Sequence, residues 1–147
     1  MKISHMRKVS DILARKGNMV SSVSSDTTVI EALRLMAEKN IGSLVVVENN
    51  RFAGILTERD YSRKVILKGR HSSDTPVSEI MTADFPTVDF SDTVEKCMQL
   101  MSVNHIRYLP VIVEDELAGI ISMNDVVTET IINQAETISQ LQNYIQS

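Results

Sequence analysis

Gly54-Ile55-Leu56-Thr57-Glu58-Arg59-Asp60 returns 65 positions on, from residue 54 to residue 119, as Gly119-Ile120-Ile121-Ser122-Met123-Asn124-Asp125. Both copies set a glycine, two apolar residues, a hydroxyl residue and an aspartate at one spacing. The match extends outward. Ser22–Asp60 aligns with Thr87–Asp125 without a gap, and identities run along its length: Val23 with Val88, Thr28 with Thr93, Met36 with Met101, Leu44 with Leu109. A register held through 39 positions, 22 to 60 against 87 to 125, indicates a duplicated structural unit.

Each copy has the same internal order. Ser24–Thr28 and Asp89–Thr93 are hydroxyl-rich and acidic, as helix N-caps are, and Thr28 with Glu31 has capping-box spacing. Val29, Leu33, Met36 and Ala37 then fall at helical spacing, as do Val94, Cys97, Met98 and Met101. Short β-branched runs follow at Leu44–Val47 and Leu109–Val113, too short for helices and read as buried strands. Polar turns lead to second strands, Phe52–Leu56 and Leu117–Ile121, and helices are expected from about Asp60 and Asp125. The unit is strand, helix, strand, strand, helix. At about 55 residues neither unit buries much alone, so an α+β body with the two units packed through their sheets is expected. Short helical lead-ins precede each unit at Val9–Leu13 and Val77–Met81. The expected division is 1–19 lead-in, 20–70 first repeat, 71–85 linker, 86–128 second repeat and 129–147 C-terminal helical extension.

Bulk properties exclude several classes. A net charge of −4 opposes general binding to nucleic acid or anionic membranes. The single cysteine, Cys97, forms no internal disulfide and fits a reducing compartment. The basic start, Met1–Lys8, is not followed by an apolar region, so no secretory signal is expected. No apolar run reaches the roughly 20 residues of a membrane span. A cytoplasmic protein is the expectation. From Asp125 to about Ile145 one long helix is expected, with Val127, Ile131, Ala135, Ile138, Leu141 and Ile145 forming a narrow apolar seam. Such a seam fits a homodimer contact, or a tail folded back on its own core.

The repeated turn carries the chemistry. A strand with a glycine admits close approach of a ligand to the backbone. Thr57 and Ser122 stand where the chain enters a helix, where a hydroxyl and the first free amides hold a phosphate. Asp60 and Asp125 follow one turn later, and a carboxylate accepts both hydroxyls of a ribose diol. Together these describe a nucleotide site. The same four residues also suit simple helix capping.

The duplication closed by G-x-x-[ST]-x-x-D resembles a pair of cystathionine β-synthase (CBS) domains, a Bateman module, over roughly Val9 to Val127. Asn104–Val111, Thr57–Lys64 and Val77–Thr82 also look like segments of small stand-alone bacterial CBS pairs. The resemblance implies a non-enzymatic sensor. Such a module binds AMP, ADP, ATP, S-adenosylmethionine or NAD(H) in clefts between the repeats and passes occupancy to a partner or within a homodimer. By matching position it implies ribose on Asp60 and Asp125, and phosphate on Thr57, Ser122 and Arg107. It places adenine against Val20, Ser22, Val23 and Ile55 in one copy and Thr87, Val88 and Ile120 in the other. Tyr108 departs from the basic residue common there, and copy one has Gly42 and Ser43 instead of Arg107 and Tyr108, so the two sites are not equivalent.

Copy one has cations of its own. Arg59, Arg63, Lys64, Lys68, Arg70 and His71 lie close together, and Arg59, Arg63 and Arg70 are expected to share roughly one helix face. Such a face is either solvated or a second phosphate subsite, the latter favouring ATP, ADP or NAD(H) over AMP. Cys97 reads as a small core residue and His105 as a helix end. No catalytic constellation, metal spacing or P-loop is legible. The alternative to a sensor is a constitutive dimerisation scaffold whose turns only cap helices.

Overall fold

The computed structural model describes residues 7–146; the first six residues of the basic N-terminal run, His5 among them, lie outside those described. The helices are α1 (Val9–Lys16), α2 (Val29–Lys39), α3 (Glu58–Tyr61, continued by a π-turn at Ser62–Ile66), α4 (Val94–Asn104) and α5 (Met123–Gln146). The strands are β1 (Ser22–Ser24), β2 (Ser43–Glu48), β3 (Arg51–Thr57), β4 (Tyr108–Val113) and β5 (Glu116–Ser122). The fold is α+β, and each repeat has the expected order, with Val88 bridged parallel to Val111 where copy one has β1. Two compact units result. One comprises Met19–Phe85 and Glu114–Leu117; the other comprises Met1–Asn18, Pro86–Val113 and Ala118–Ser147.

In the first-repeat unit β1 runs parallel to β2, and β2 antiparallel to β3. Alternation along the strands turns Leu44, Val46 and Leu56 onto α2, where they meet Val29, Ala32 and Met36. Helix α2 begins at Thr28, whose hydroxyl accepts the Glu31 amide; the reciprocal bond of a full capping box is not formed. It ends at Asn40, in the left-handed region at φ 55°, with the Ile41 amide reaching back to the Met36 carbonyl. The second-repeat unit ends α4 in the same way, with His105 at φ 54° and the Ile106 amide on Met101. His105 is therefore a C-cap. Cys97 is buried on the core face of α4, beside Val94 and Met101. Each hairpin turns on two residues of positive φ, Asn49-Asn50 and Glu114-Asp115, the geometry that suits the twist of antiparallel strands.

The lead-ins are structural members of the two cores. Val77, Ile80 and Met81 join the first-repeat core, and Val9, Ile12 and Leu13 the second. The first lead-in is a helix, α1, but the second is only a single 3-10 turn, Val77–Glu79. The residues just before each lead-in also satisfy helix N-termini. Thr75 and Ser72 carbonyls accept the first two amides of α2, and the Arg7 carbonyl accepts the first amide of α4. The segment before Val77 is thus bonded to α2, with Thr75 buried and donating to the His71 carbonyl.

The repeated glycines are explained by these lead-ins and not by room left for a ligand. A Cβ on Gly54 would lie 2.8 Å from the Thr82 carbonyl oxygen and 2.9 Å from the Met81 sulfur. A Cβ on Gly119 would lie 3.1 Å from a Leu13 methyl. The sequence-based assignment of these glycines to ligand approach is corrected accordingly. Backbone cannot yield as a leucine methyl can, so Gly54→Ala is expected to cost about 1–3 kcal/mol and Gly119→Ala clearly less. Urea denaturation of the two variants measures this; an equal or larger loss for Gly119→Ala would contradict it.

Candidate ligand-binding site

Both repeated turns fold as reciprocal helix caps. The Thr57 amide donates to Asp60 Oδ2 at 3.0 Å, and the Asp60 amide donates to the Thr57 hydroxyl at 3.1 Å. At the second turn the Ser122 amide donates to Asp125 Oδ2 at 2.8 Å, and the Asp125 amide to the Ser122 hydroxyl at 3.2 Å. The helices start at Glu58 and Met123, earlier than the expected Asp60 and Asp125, because the aspartates are third helical residues that reach back to cap. The next amides are also engaged: Glu58 donates to the Gly42 carbonyl and Met123 to the Arg107 carbonyl. Of the first three amides in each turn, those of Arg59 and Asn124 donate to no group among the described residues. The phosphate-holding capacity expected of several free amides is therefore reduced to one per turn.

The two carboxylates differ in what they have left to offer. Asp60 is buried and its oxygens are both occupied. Oδ2 also accepts the Thr57 hydroxyl at 3.0 Å; Oδ1 accepts the Thr82 hydroxyl at 3.2 Å and faces the Lys64 ammonium at 3.2 Å. Lys64 is fixed by the Ile80 carbonyl at 2.9 Å. Asp125 is half-buried. Its Oδ2 takes the Lys16 ammonium at 2.7 Å in addition to the Ser122 amide, while Oδ1 accepts from no group among the described residues. Lys16 donates also to the Ile120 carbonyl at 3.0 Å. The Ser122 hydroxyl faces Asp125 and helps to hold it ionised, as the Thr57 hydroxyl donates to Asp60.

The charges are exchanged between the copies. Four residues after Asp60 stands Lys64; four after Asp125 stands Glu129. Glu129 is only 2% exposed and accepts Arg15 Nε and Nη2 at 3.1 and 3.0 Å, with Arg7 Nη1 at 3.4 Å. Arg7 also pairs with Glu136. The second turn thus draws its cations from α1, where the first uses its own π-turn. Sequence reasoning missed Lys16, Thr82, Arg15 and Glu129. The signal was present in the sign change at the position four after each aspartate.

The remaining predicted residues fall as follows. Ser22, Val45 and Ile55 form one rung across β1, β2 and β3. Ser22 and Thr87 are exposed, Val20 and Ile120 partly buried, and Ile55 fully buried. Val23 and Val88 turn their side chains into their own cores. Arg59, Arg63 and Arg107 are exposed and form no ion pair among the described residues. Arg70 does not share their helix face: the π-turn ends at Ile66, and Arg70 pairs with Glu79 at 3.0 Å. The π-turn carries one extra residue per turn, which ends the i, i+4 and i+7 phasing assumed for that face. A surface hollow bordered by Phe52, Ala53 and Met81 includes neither turn. The Cys97 thiol is pushed up to about 11, chiefly by burial, and is no nucleophile at neutral pH.

Burial alone would raise the Asp125 carboxyl, but the Lys16 ammonium and the Ser122 amide hold it below the usual carboxylate range. A depressed folded-state pKa stabilises the fold above the unfolded value of about 3.9, and that stabilisation disappears as pH falls through the folded value. The stability difference between the native chain and Asp125→Asn is therefore expected to be flat above about pH 5 and to shrink in more acidic solution. Denaturant melts across pH measure it; a difference that grows on acidification would contradict the assignment.

Comparison with known proteins places this geometry. The family model "CBS domain" matches residues 9–66 and 77–131. The mitochondrial CBS domain-containing protein CBSX3 of Arabidopsis thaliana is 40% identical over 94% of this chain and 71% of its own length. A putative signal-transduction protein with CBS domains from Burkholderia ambifaria superposes with a TM-score of 0.81 at 43% identity, covering 86% of this chain and 96% of that one. A hexameric CBS-CP12 protein from bloom-forming cyanobacteria superposes with a TM-score of 0.72 at 30% identity, over 83% of this chain and 67% of that one. CBS pairs are generally regulatory modules that bind adenosine ligands. With two matched repeats and both turns built alike, the chain belongs to the CBS-domain family.

Proposed function

We propose that the chain is a non-catalytic sensor of adenosine-containing nucleotides, AMP, ADP, ATP or NAD(H), bound at the Thr57–Asp60 and Ser122–Asp125 turns. The observation that carries this reading is the pairing of capped aspartates with exposed, unpaired guanidinium groups. Arg59 lies within the first turn and Arg63 three residues after it, and the Arg107 carbonyl is bonded to the second. In this reading Asp60 and Asp125 accept ribose hydroxyls. Phosphate meets Thr57, Arg59 and Arg63 at one turn and Ser122 and Arg107 at the other. Adenine lies against Val20 and Ser22, or Thr87 and Ile120, and reaches the core-facing Val23 and Val88 and the buried Ile55 through their backbone only. The open amides of Arg59 and Asn124 add one neutral donor each. Two arginines at the first turn that form no ion pair among the described residues favour ligands with two or more phosphates there.

The turns are unequal as receptors. One oxygen of Asp125 accepts no hydrogen bond among the described residues, while Asp60 must first part from Thr82 or Lys64. The second turn is therefore expected to bind the nucleoside part more tightly. Calorimetric titration with AMP, ADP, ATP, NADH and S-adenosylmethionine tests the reading. Loss of one site each in Asp60→Ala and Asp125→Ala is expected, with the tighter site lost in Asp125→Ala. No heat with any of these ligands would overturn it in favour of a scaffold.

The receiver of the signal is proposed to be a second copy of the chain, joined through α5. Val127, Ile131, Ile138, Leu141 and Ile145 are 40–79% exposed along this helix. Ile131, Ile138 and Ile145 recur every seven residues, with Val127, Gln134 and Leu141 as the alternate set. The isoleucine set gives a β-branched seam, while the alternate set holds one leucine, one valine and the polar Gln134, a pattern that fits a narrow helix-to-helix contact. The hexameric state of the CBS-CP12 protein supports association in this fold. Sedimentation should show a dimer that Ile138→Asp converts to monomer at the same concentration; an unchanged mass would reject this contact. Cutting the chain at Val127 is a poorer test, since it would also remove the buried Glu129.

A further inference from the structure

The Lys16 ammonium rests on two groups of the second turn, Asp125 Oδ2 at 2.7 Å and the Ile120 carbonyl at 3.0 Å. In the nucleotide reading, on which this inference rests, those groups face ribose and the adenine side. Oδ2 already takes the Ser122 amide, so the ammonium fills its remaining acceptor capacity. A diol that used both carboxylate oxygens would need the place that Lys16 holds. Lys16 is also the last residue of α1, followed by Gly17 at φ 88°, where an added Cβ would meet nothing within 4 Å. The side chain is partly exposed, so its ammonium has a route to solvent and to a neighbouring anion. Aligning the lead-ins on Ile12 and Ile80 puts Asp84 opposite Lys16, so the first turn receives no such cation from its lead-in.

We propose that Lys16 is a specificity-determining residue of the second turn, selecting phosphorylated over unphosphorylated nucleosides. Its ammonium competes with the ribose diol for Asp125. A ligand carrying phosphate gives the displaced ammonium a new anionic partner, and a bare nucleoside does not. Competition is thus a penalty on adenosine that AMP largely offsets. Lys16 works with Arg107, which is exposed and unpaired among the described residues, but only Lys16 is anchored on the ribose carboxylate.

The test is the ratio of AMP to adenosine affinity at the second turn, measured by calorimetry on the full chain carrying Asp60→Asn to silence the first. Lys16→Met is expected to lower that ratio about tenfold, and Lys16→Arg to keep it. Circular dichroism melts confirm that each variant folds. A ratio unchanged in Lys16→Met, with AMP still bound, would overturn the role of Lys16 and leave the nucleotide reading standing. Absence of AMP binding both with and without Lys16 would overturn both.

Discussion

Each lead-in segment seats against a strand of its repeat at a glycine, and the geometry of both turns follows from that seat. Met81 and the Thr82 carbonyl occupy the space above Gly54; Leu13 occupies that above Gly119. The Ile55 and Thr82 backbones exchange two hydrogen bonds, at 3.0 and 2.9 Å, which fixes Thr82 over Asp60. In the second unit Val9, Ile12 and Leu13 are buried, and the end of α1 delivers Lys16 to Asp125. Packing of the apolar residues of each lead-in therefore decides which polar groups meet each aspartate. A side chain on either glycine would disturb a hydrophobic contact and a binding turn together.

The duplication gave two frames, and subsequent divergence set their charges differently. The first turn is locally self-contained: Lys64 from its own π-turn balances Asp60. The second depends on α1, whose Lys16 and Arg15 meet Asp125 and Glu129, with Arg7 just before the helix reaching Glu129 and Glu136. These acids lie along α5, the helix that carries the exposed apolar seam. Buried Glu129 is costly to hold without its arginines, so the position of α5 depends on α1. In the proposed function a ligand that draws Lys16 from Asp125 acts on one end of this row of ion pairs. The same row would bias α5, and differential affinity for two arrangements is the physical requirement for a signal.

Most of the fold was legible because it is written in periodicities. Val29, Met36, Val94 and Met101 announce helices by spacing; Leu44–Val46 and Leu109–Val111 announce strands by branching. Asp60 and Asp125 stood out because they recur in register. What was not legible depends on partners distant in sequence. Nothing around Lys16 predicts Asp125, 109 positions away, and nothing near Gly54 predicts Met81. The π-turn was invisible too, so a face drawn through Arg59, Arg63 and Arg70 failed at Arg70. The hydroxyl and amide groups read as free for phosphate were partly used in capping, since one residue pattern serves both purposes.

Amide hydrogen exchange with and without saturating ATP tests the central claim most directly, because both turns report in one experiment. Binding at the capped aspartates should slow exchange in peptides covering Leu56–Tyr61 and Ile121–Val126, through the open amides of Arg59 and Asn124 and the stiffened caps around them. Protection at both turns, weaker in Asp60→Ala at the first and in Asp125→Ala at the second, is the result the account predicts. Exchange unchanged at both turns while ATP protects some other surface would contradict it.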